Sequence, residues 1–150
     1  MKYYPDINVP QGSFYEVNHN QSIATEGCTL CVGLVTIDKG HSKQCAHFDC
    51  EIKETGDMSV VKAKAIKILE DYFPAKEDVN IVSYSTANKG KTTLAIIEAI
   101  KEVYAGIYIQ HCETDGVFGH ENGQLVNCIG ASDSIGTPPS KENGLATIKN

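Results

Sequence analysis

The sequence contains no arginine, and all 13 of its basic residues are lysine. Proteins that bind nucleic acids typically present a basic surface and use the forked guanidinium group of arginine to contact bases and phosphates. This chain instead has a net charge of −6 at pH 7. We therefore expect no nucleic-acid partner.

Long hydrophobic runs are also missing from the sequence. No segment approaches the roughly 18 consecutive apolar residues that cross a membrane as a helix, so we expect no membrane insertion. The opening residues, Met-Lys-Tyr-Tyr-Pro-Asp, lack the apolar stretch of a signal peptide. We therefore expect no cleavable secretory signal.

Cysteine is the residue type with the most ambiguous role. The six cysteines are Cys28, Cys31, Cys45, Cys50, Cys112 and Cys128. An even number is compatible with disulfides, but a chain of 150 residues with 41% hydrophobic residues can bury a core without cross-links. We therefore predict reduced thiols and a reducing cytoplasm, either of the protein's own cell or, for an exported effector or toxin, of a target cell.

The residue pattern predicts a single α+β domain over residues 23–132, with an irregular lead-in over 1–22 and a surface tail over 133–150. Apolar and β-branched stretches predict strands over 28–38, 80–84, 107–111 and 124–129, and weak alternation predicts a further strand over 43–53. Helical spacing predicts two main helices, one between Asp57 and Pro74 and one over 92–104. The first two strands are expected to form a hairpin, and the last two another. This order favours sheet and helices in separate layers.

Cys31 and His47 have a pattern typical of thiol catalysis. Cys31 opens an apolar strand, and His47 follows 16 residues later on the strand expected to pair with it. Side chains directly opposed on one face of an antiparallel pair have Cβ atoms about 4.5–5.5 Å apart, close enough for an imidazole to accept the thiol proton. A register that puts both side chains on one face therefore predicts a nucleophile–base pair.

The segment Thr25-Glu-Gly-Cys-Thr-Leu-Cys31-Val32 resembles the nucleophile segment of the chemotaxis glutamine deamidases, the CheD family. Thr25 stands six residues before Cys31, as a threonine does before the catalytic cysteine of that family. Ala46-His47 is similar to the Ala-His pair that follows in the family's second signature. Cytotoxic necrotizing factors and related deamidase toxins share this cysteine–histidine arrangement and its fold.

The resemblance implies a protein-glutamine deamidase with a layered α-β-β sandwich of mainly antiparallel strands. Cys31 would attack the side-chain carboxamide of a glutamine in a protein substrate. His47 would act as the base, and Thr25 would orient His47. Water would resolve the thioester to glutamate, so the resemblance implies no cofactor and no metal. Leu30 departs from the small residue that usually precedes the family's nucleophile.

Several alternatives remain open from the residues alone. Cys28 is a rival nucleophile, since Gly27-Cys28 is typical of an exposed turn, although its spacing from Thr25 differs from that of the family. A zinc site is a second alternative, with ligands from Cys28, Cys31, Cys45 and Cys50. A third is a non-catalytic binding module of the same fold, whose cysteines only pack in the core.

The segment from Ser85 to Thr92 ends in Gly-Lys-Thr and lies between a predicted strand and a predicted helix, as a phosphate-binding loop does. Its first position is Ser85 where that motif has glycine, and no apolar strand ending in aspartate follows to hold Mg²⁺. We therefore expect an ordinary strand-to-helix loop and no nucleotide cofactor.

Overall fold

A computed structural model describes residues 4–73, 76–112, 116–119, 125–129, 136 and 140–150. Over these residues the chain forms an α+β fold with two α-helices and ten strands, most of which pair in antiparallel fashion. The strands are β1 (Ile7–Asn8), β2 (Phe14–Val17), β3 (Ile23–Thr25), β4 (Val32–Asp38), β5 (Lys43–Cys50), β6 (Val79–Ser85), β7 (Ile109–Cys112), β8 (Gly116–Gly119), β9 (Leu125–Ile129) and β10 (Thr147–Ile148). The helices are α1 (Met58–Tyr72) and α2 (Lys91–Val103), with a short 3₁₀ helix over Lys76–Asp78.

The larger of two sheets carries β4 at its centre. Its strand order is β10-β5-β4-β6-β7, and β2 shares the outer edge of β5 with β10. β4 pairs antiparallel with β5 on one side and with β6 on the other. Six of its seven residues are buried, which explains why the strand is apolar almost throughout and does not alternate with polar residues.

The two faces of this sheet contribute to two separate hydrophobic clusters. Leu34, Phe48 and Tyr84 belong to a cluster with the buried residues of α1 and α2. Val35 and Cys45, which point to the other face, pack with Ile23 of the smaller sheet. That smaller sheet has the order β1-β3-β8-β9. The helices and the smaller sheet therefore contact opposite faces of the larger sheet.

Helix α1 begins and ends where its local sequence favours it. Asp57 caps α1, because its side chain accepts a hydrogen bond from the backbone N–H of Ser59 at 2.9 Å. Phe73 ends α1 in an extended conformation, as expected for a residue that precedes proline. Along α1 the buried side chains recur every fourth residue, at Val61, Ala65 and Leu69. Within the described chain, neither helix is long and apolar enough to cross a membrane.

Three expectations about the architecture are wrong. The lead-in is not irregular throughout, since β1 and β2 lie within it. The end of the chain is not a surface tail, since Ala146 and Ile148 are buried in the helix-side cluster and β10 pairs with β5. The second predicted hairpin does not form, because β7 pairs parallel with β6 while β9 pairs with β8.

The state of the cysteines is mixed. Four thiols take part in no disulfide, namely Cys28, Cys31, Cys45 and Cys50. Cys112 on β7 is disulfide-bonded, so the expectation that all thiols are reduced is wrong at this position. The Sγ atom of Cys112 lies 3.2 Å from the hydroxyl of Ser83 on the neighbouring strand β6.

Candidate functional site

A row of three residues crosses the centre of the larger sheet. Gly33 on β4 pairs with His47 on β5 and with Ser85 on β6. Cross-strand partners place their side chains on the same face of a sheet. The imidazole of His47 and the hydroxyl of Ser85 therefore flank a position that has no side chain, on the face that meets the smaller sheet.

The space above Gly33 is filled by atoms from other residues. A Cβ at this glycine would lie 2.8 Å from Cys28 Sγ, 2.8 Å from Thr25 Cγ2 and 3.2 Å from Ser85 Oγ. Distances this short leave no room for even a methyl group. Glycine inside a strand often marks such a close approach. At Gly33 its absence of a side chain admits the thiol of Cys28 between His47 and Ser85.

Cys28 lies in the connection from β3 to β4, where the chain passes from the smaller sheet to the larger one. Gly27 allows the turn, with a φ of 73° that side-chain-bearing residues rarely adopt. The carbonyl oxygen of Cys28 accepts a hydrogen bond from the backbone N–H of Ala87 at 3.0 Å. This bond anchors Cys28 to the loop after β6, and its Sγ lies 4.0 Å from His47 Nδ1.

Thr25 holds the imidazole of His47 in one orientation. The Thr25 hydroxyl donates to the carbonyl oxygen of Val9 at 2.8 Å and lies 2.7 Å from His47 Nδ1. Because a hydroxyl has one proton, Thr25 accepts its second hydrogen bond from the N–H at Nδ1. This network assigns the ring proton to Nδ1 and the lone pair to Nε2. Nε2 is buried and has no hydrogen-bond partner among the described residues.

The protonation state of His47 is set mainly by its burial. Burial lowers the pKa of His47 from its ordinary value of 6.5 to about 4, and the charge of nearby Asp49 opposes this shift only in part. His47 is therefore neutral at pH 7. A neutral imidazole can accept a proton, which is what a general base requires.

Cys31 lies in a different environment, directly before β4. Its thiol donates to Asp49 Oδ1 at 3.7 Å. Burial, followed by the charge and the hydrogen bond of Asp49, raises the pKa of Cys31 to about 12. The thiol is thus held in its neutral and weakly nucleophilic form.

The predicted cross-strand pairing of Cys31 with His47 is therefore wrong. The register places Gly33 opposite His47, and Val32 opposite Phe48. Cys31 is displaced by two residues from the expected position, so it keeps the same face but lies beside Asp49. Of the three residues predicted for the site, the structure brings Thr25 and His47 together and adds Cys28 in place of Cys31.

The cysteines do not form a zinc site in the described part of the chain, where no group of three His, Cys, Asp or Glu residues could hold a metal ion. Cys45 is fully buried in the cluster between the sheets. Cys50 lies at the end of β5 and its thiol donates to the carbonyl oxygen of Ile52 at 3.4 Å. Electrostatic interactions link Cys28 with Cys45 and Cys31 with Cys50, so these four cysteines form two pairs and not one group of ligands.

The loop before α2 forms an ordinary helix start. Gly90 is the N-cap and provides no side-chain cap. The carboxylate of Glu54 accepts a hydrogen bond from the backbone N–H of Lys91 at 3.0 Å. A carboxylate of the chain itself therefore occupies the position at the helix N-terminus where a phosphate would bind.

Three residues of the site were missed in the sequence. Gly33 could have been found, since glycine within a run of β-branched residues indicates a close approach. Ser85 and Asp49 carry no such local signal, because their contacts depend on the pairing of distant strands.

Comparison with protein-family models and with curated protein sequences found no match.

Proposed function

We propose that this protein is a cysteine-dependent hydrolase that deamidates glutamine side chains of a protein substrate, with Cys28 as the nucleophile. The observation that carries the proposal is the position of Cys28 Sγ, 4.0 Å from Nδ1 of an imidazole that Thr25 orients. A thiol, a base and a group that orients the base are the components of nucleophilic cysteine catalysis.

The resemblance to CheD-type deamidases supports the choice of reaction. The resemblance implies that His47 is the base and that Thr25 orients it, and we propose the same two roles. The resemblance implies that Cys31 is the nucleophile, but we propose Cys28 in that role because Cys31 contacts Asp49. The packing of helices and a second sheet on opposite faces of the larger sheet is compatible with the α-β-β layering of that family.

The proposed reaction begins with attack of the Cys28 sulfur on the carboxamide carbon, while the thiol proton passes to Nε2 of His47, because Nδ1 already carries the ring proton. The tetrahedral intermediate collapses when its C–N bond breaks and ammonia leaves with the proton from His47. The resulting thioester is attacked by water, whose proton passes to His47. Cleavage of the C–S bond then releases glutamate and regenerates the thiol, so the net reaction consumes water and produces ammonia.

The substrate reaches Cys28 by displacing part of its loop. Cys28 is fully buried, but Gly27, Thr29 and Leu30 in the same connection are exposed. The thiol thus lies just beneath the surface. Leu30 is 75% exposed and offers an apolar contact to the substrate beside the nucleophile.

The test is a comparison of two matched serine variants. Lysate proteins are incubated with wild type, Cys28→Ser or Cys31→Ser, and Gln-to-Glu conversion is measured by mass spectrometry. We expect conversion with wild type and Cys31→Ser and none with Cys28→Ser. Conversion that is lost only in Cys31→Ser would identify Cys31 as the nucleophile. Absence of conversion in every sample would reject the activity for these proteins and favour a non-catalytic binding module.

A further inference from the structure

Ser85 has a buried hydroxyl with no hydrogen-bond partner among the described residues. The residue ends β6 and is fully buried. Buried hydroxyl groups are nearly always hydrogen-bonded, because removing them from water without a partner is unfavourable. Within the described chain, the Ser85 hydroxyl can therefore gain a partner in another state of the site.

The thiol of Cys28 lies beside Ser85 in the space above Gly33. Both Ser85 Oγ and Cys28 Sγ lie within 3.2 Å of the position that a Cβ of Gly33 would occupy. The hydroxyl and the sulfur therefore border the same small space. On the other side of that space lies His47, whose Nε2 likewise has no partner in the described part of the chain.

Ser83 provides an internal comparison, because it lies two residues earlier on the same face of β6 and is also fully buried. Its hydroxyl is already engaged, 3.2 Å from Cys112 Sγ on β7. Two equivalent serines on one strand thus differ in whether the hydroxyl has a partner. Only the one without a partner borders the thiol of the proposed nucleophile.

We propose that Ser85 is a positioning residue whose hydroxyl donates a hydrogen bond to the Cys28 sulfur when the thiol gives up its proton. The serine keeps its own proton throughout, and the thiol proton goes to His47. An O–H donor pointed at a thiolate stabilises the charged form, which increases the fraction of reactive sulfur at neutral pH. This inference deepens the proposed function, since it rests on Cys28 being the nucleophile.

Other titratable groups lie near Cys28 in the fold or along the chain. His47 and Cys45 project from β5 on the same face, and the charge of Cys28 acts on Cys45. Asp49 acts on His47 from the next position on that face. Glu26 lies in the same connection as Cys28. The Ser85 contribution must therefore be measured with all of these residues unchanged.

The test is the pH dependence of Cys28 alkylation by iodoacetamide, resolved by peptide fragmentation in the mass spectrometer. Ser85→Thr and Ser85→Val have nearly the same shape and differ in the hydroxyl group. We expect Ser85→Val to move the midpoint of the Cys28 profile upward by about one pH unit and to slow alkylation at pH 7 about tenfold. Ser85→Thr should restore most of the wild-type rate.

Ser83→Ala is the matched control and should leave the Cys28 profile within about twofold of wild type. Equal profiles for Ser85→Val and Ser85→Thr would overturn the proposal, as would an equal shift in Ser83→Ala. Alkylation requires no substrate, so its outcome is independent of the Gln-to-Glu measurement. A failed Ser85 test with intact Cys28-dependent deamidation would reject only the role of Ser85.

Discussion

Two thiols three residues apart in this chain have opposite chemical environments. Cys28 lies beside the neutral imidazole of His47, whereas Cys31 lies beside the carboxylate of Asp49. The N–H at Nδ1 of the imidazole stabilises a thiolate, and Nε2 can accept the thiol proton. A carboxylate instead repels the thiolate and holds the proton on the sulfur. We therefore expect the reactivity of each thiol to depend on which residue of β5 lies next to it.

His47 and Asp49 are themselves separated by one residue on β5, so they share a face. The different neighbours of the two thiols therefore result from where Cys28 and Cys31 lie along the chain relative to β4. Cys28 approaches from the connection between the sheets and enters the space above Gly33. Cys31 approaches along the line of β4 and meets Asp49.

The largest effect is expected from removing the space that admits Cys28. In Gly33→Ala, the new methyl group would lie 2.8 Å from the Cys28 sulfur, so the thiol must be displaced from His47. We expect Cys28-dependent deamidation to fall at least about a hundredfold and unfolding to become easier by about 1–3 kcal/mol. Activity is measured by Gln-to-Glu conversion and stability by urea denaturation.

Gly40→Ala is the control for this change, since a Cβ there meets only Asp38 Oδ1 at 3.4 Å. It should alter activity and stability little. If Gly33→Ala retained wild-type activity, the thiol that reacts would not be the one packed above Gly33.

The second largest effect is expected on acid stability, because His47 is buried without charge. The folded pKa of His47 is about 4, below its ordinary value of 6.5. Between these values the unfolded chain binds a proton that the folded chain does not, so acid favours unfolding. The contribution of neutral His47 to the free energy of unfolding is fully present above pH 6.5 and is lost as the pH falls to about 4. It amounts to roughly 3 kcal/mol.

Urea denaturation of wild type and His47→Gln at several pH values measures this contribution. The variant should lose less stability than wild type between pH 6.5 and pH 4. Parallel curves for the two proteins would show that His47 does not titrate with a lowered pKa in the folded state.

A third, smaller effect is expected on the side of Cys31. In Asp49→Asn, the carboxylate charge that helps to raise the pKa of Cys31 is removed, while burial of the thiol remains. We expect alkylation of Cys31 at pH 8 to accelerate about tenfold. Glu51→Gln removes a carboxylate that acts on Cys50, and it should leave Cys31 unchanged. An unaltered Cys31 rate in Asp49→Asn would show that Asp49 does not control this thiol.

Much of the fold follows from local sequence patterns. The hairpin of β4 and β5 is predicted from the apolar run of β4, the weak alternation of β5 and the short turn between them, and it is confirmed. The two helices were predicted from the spacing of residues such as Val61, Ala65 and Leu69. The pairing of β7 with β6 was missed, since parallel pairing of strands joined by a helix leaves no local signal of its partner.

The site was predicted only in part, for a similar reason. The apolar run from Cys28 to Asp38 predicts one strand, but the strand begins at Val32 and leaves Cys28 in the connection between two sheets. A shift of two residues keeps every side chain on its face, so the apolar pattern cannot detect it. The identity of the thiol beside His47 thus depends on tertiary packing above Gly33.

We propose that His47 activates Cys28 and not Cys31. The most direct test is the rate of iodoacetamide alkylation at pH 7, resolved for each thiol, in wild type and in His47→Ala. Removing the imidazole removes the N–H that faces the Cys28 sulfur, so we predict that Cys28 slows about tenfold and Cys31 changes less than about twofold. Slowing of Cys31 with no change at Cys28 would contradict the account.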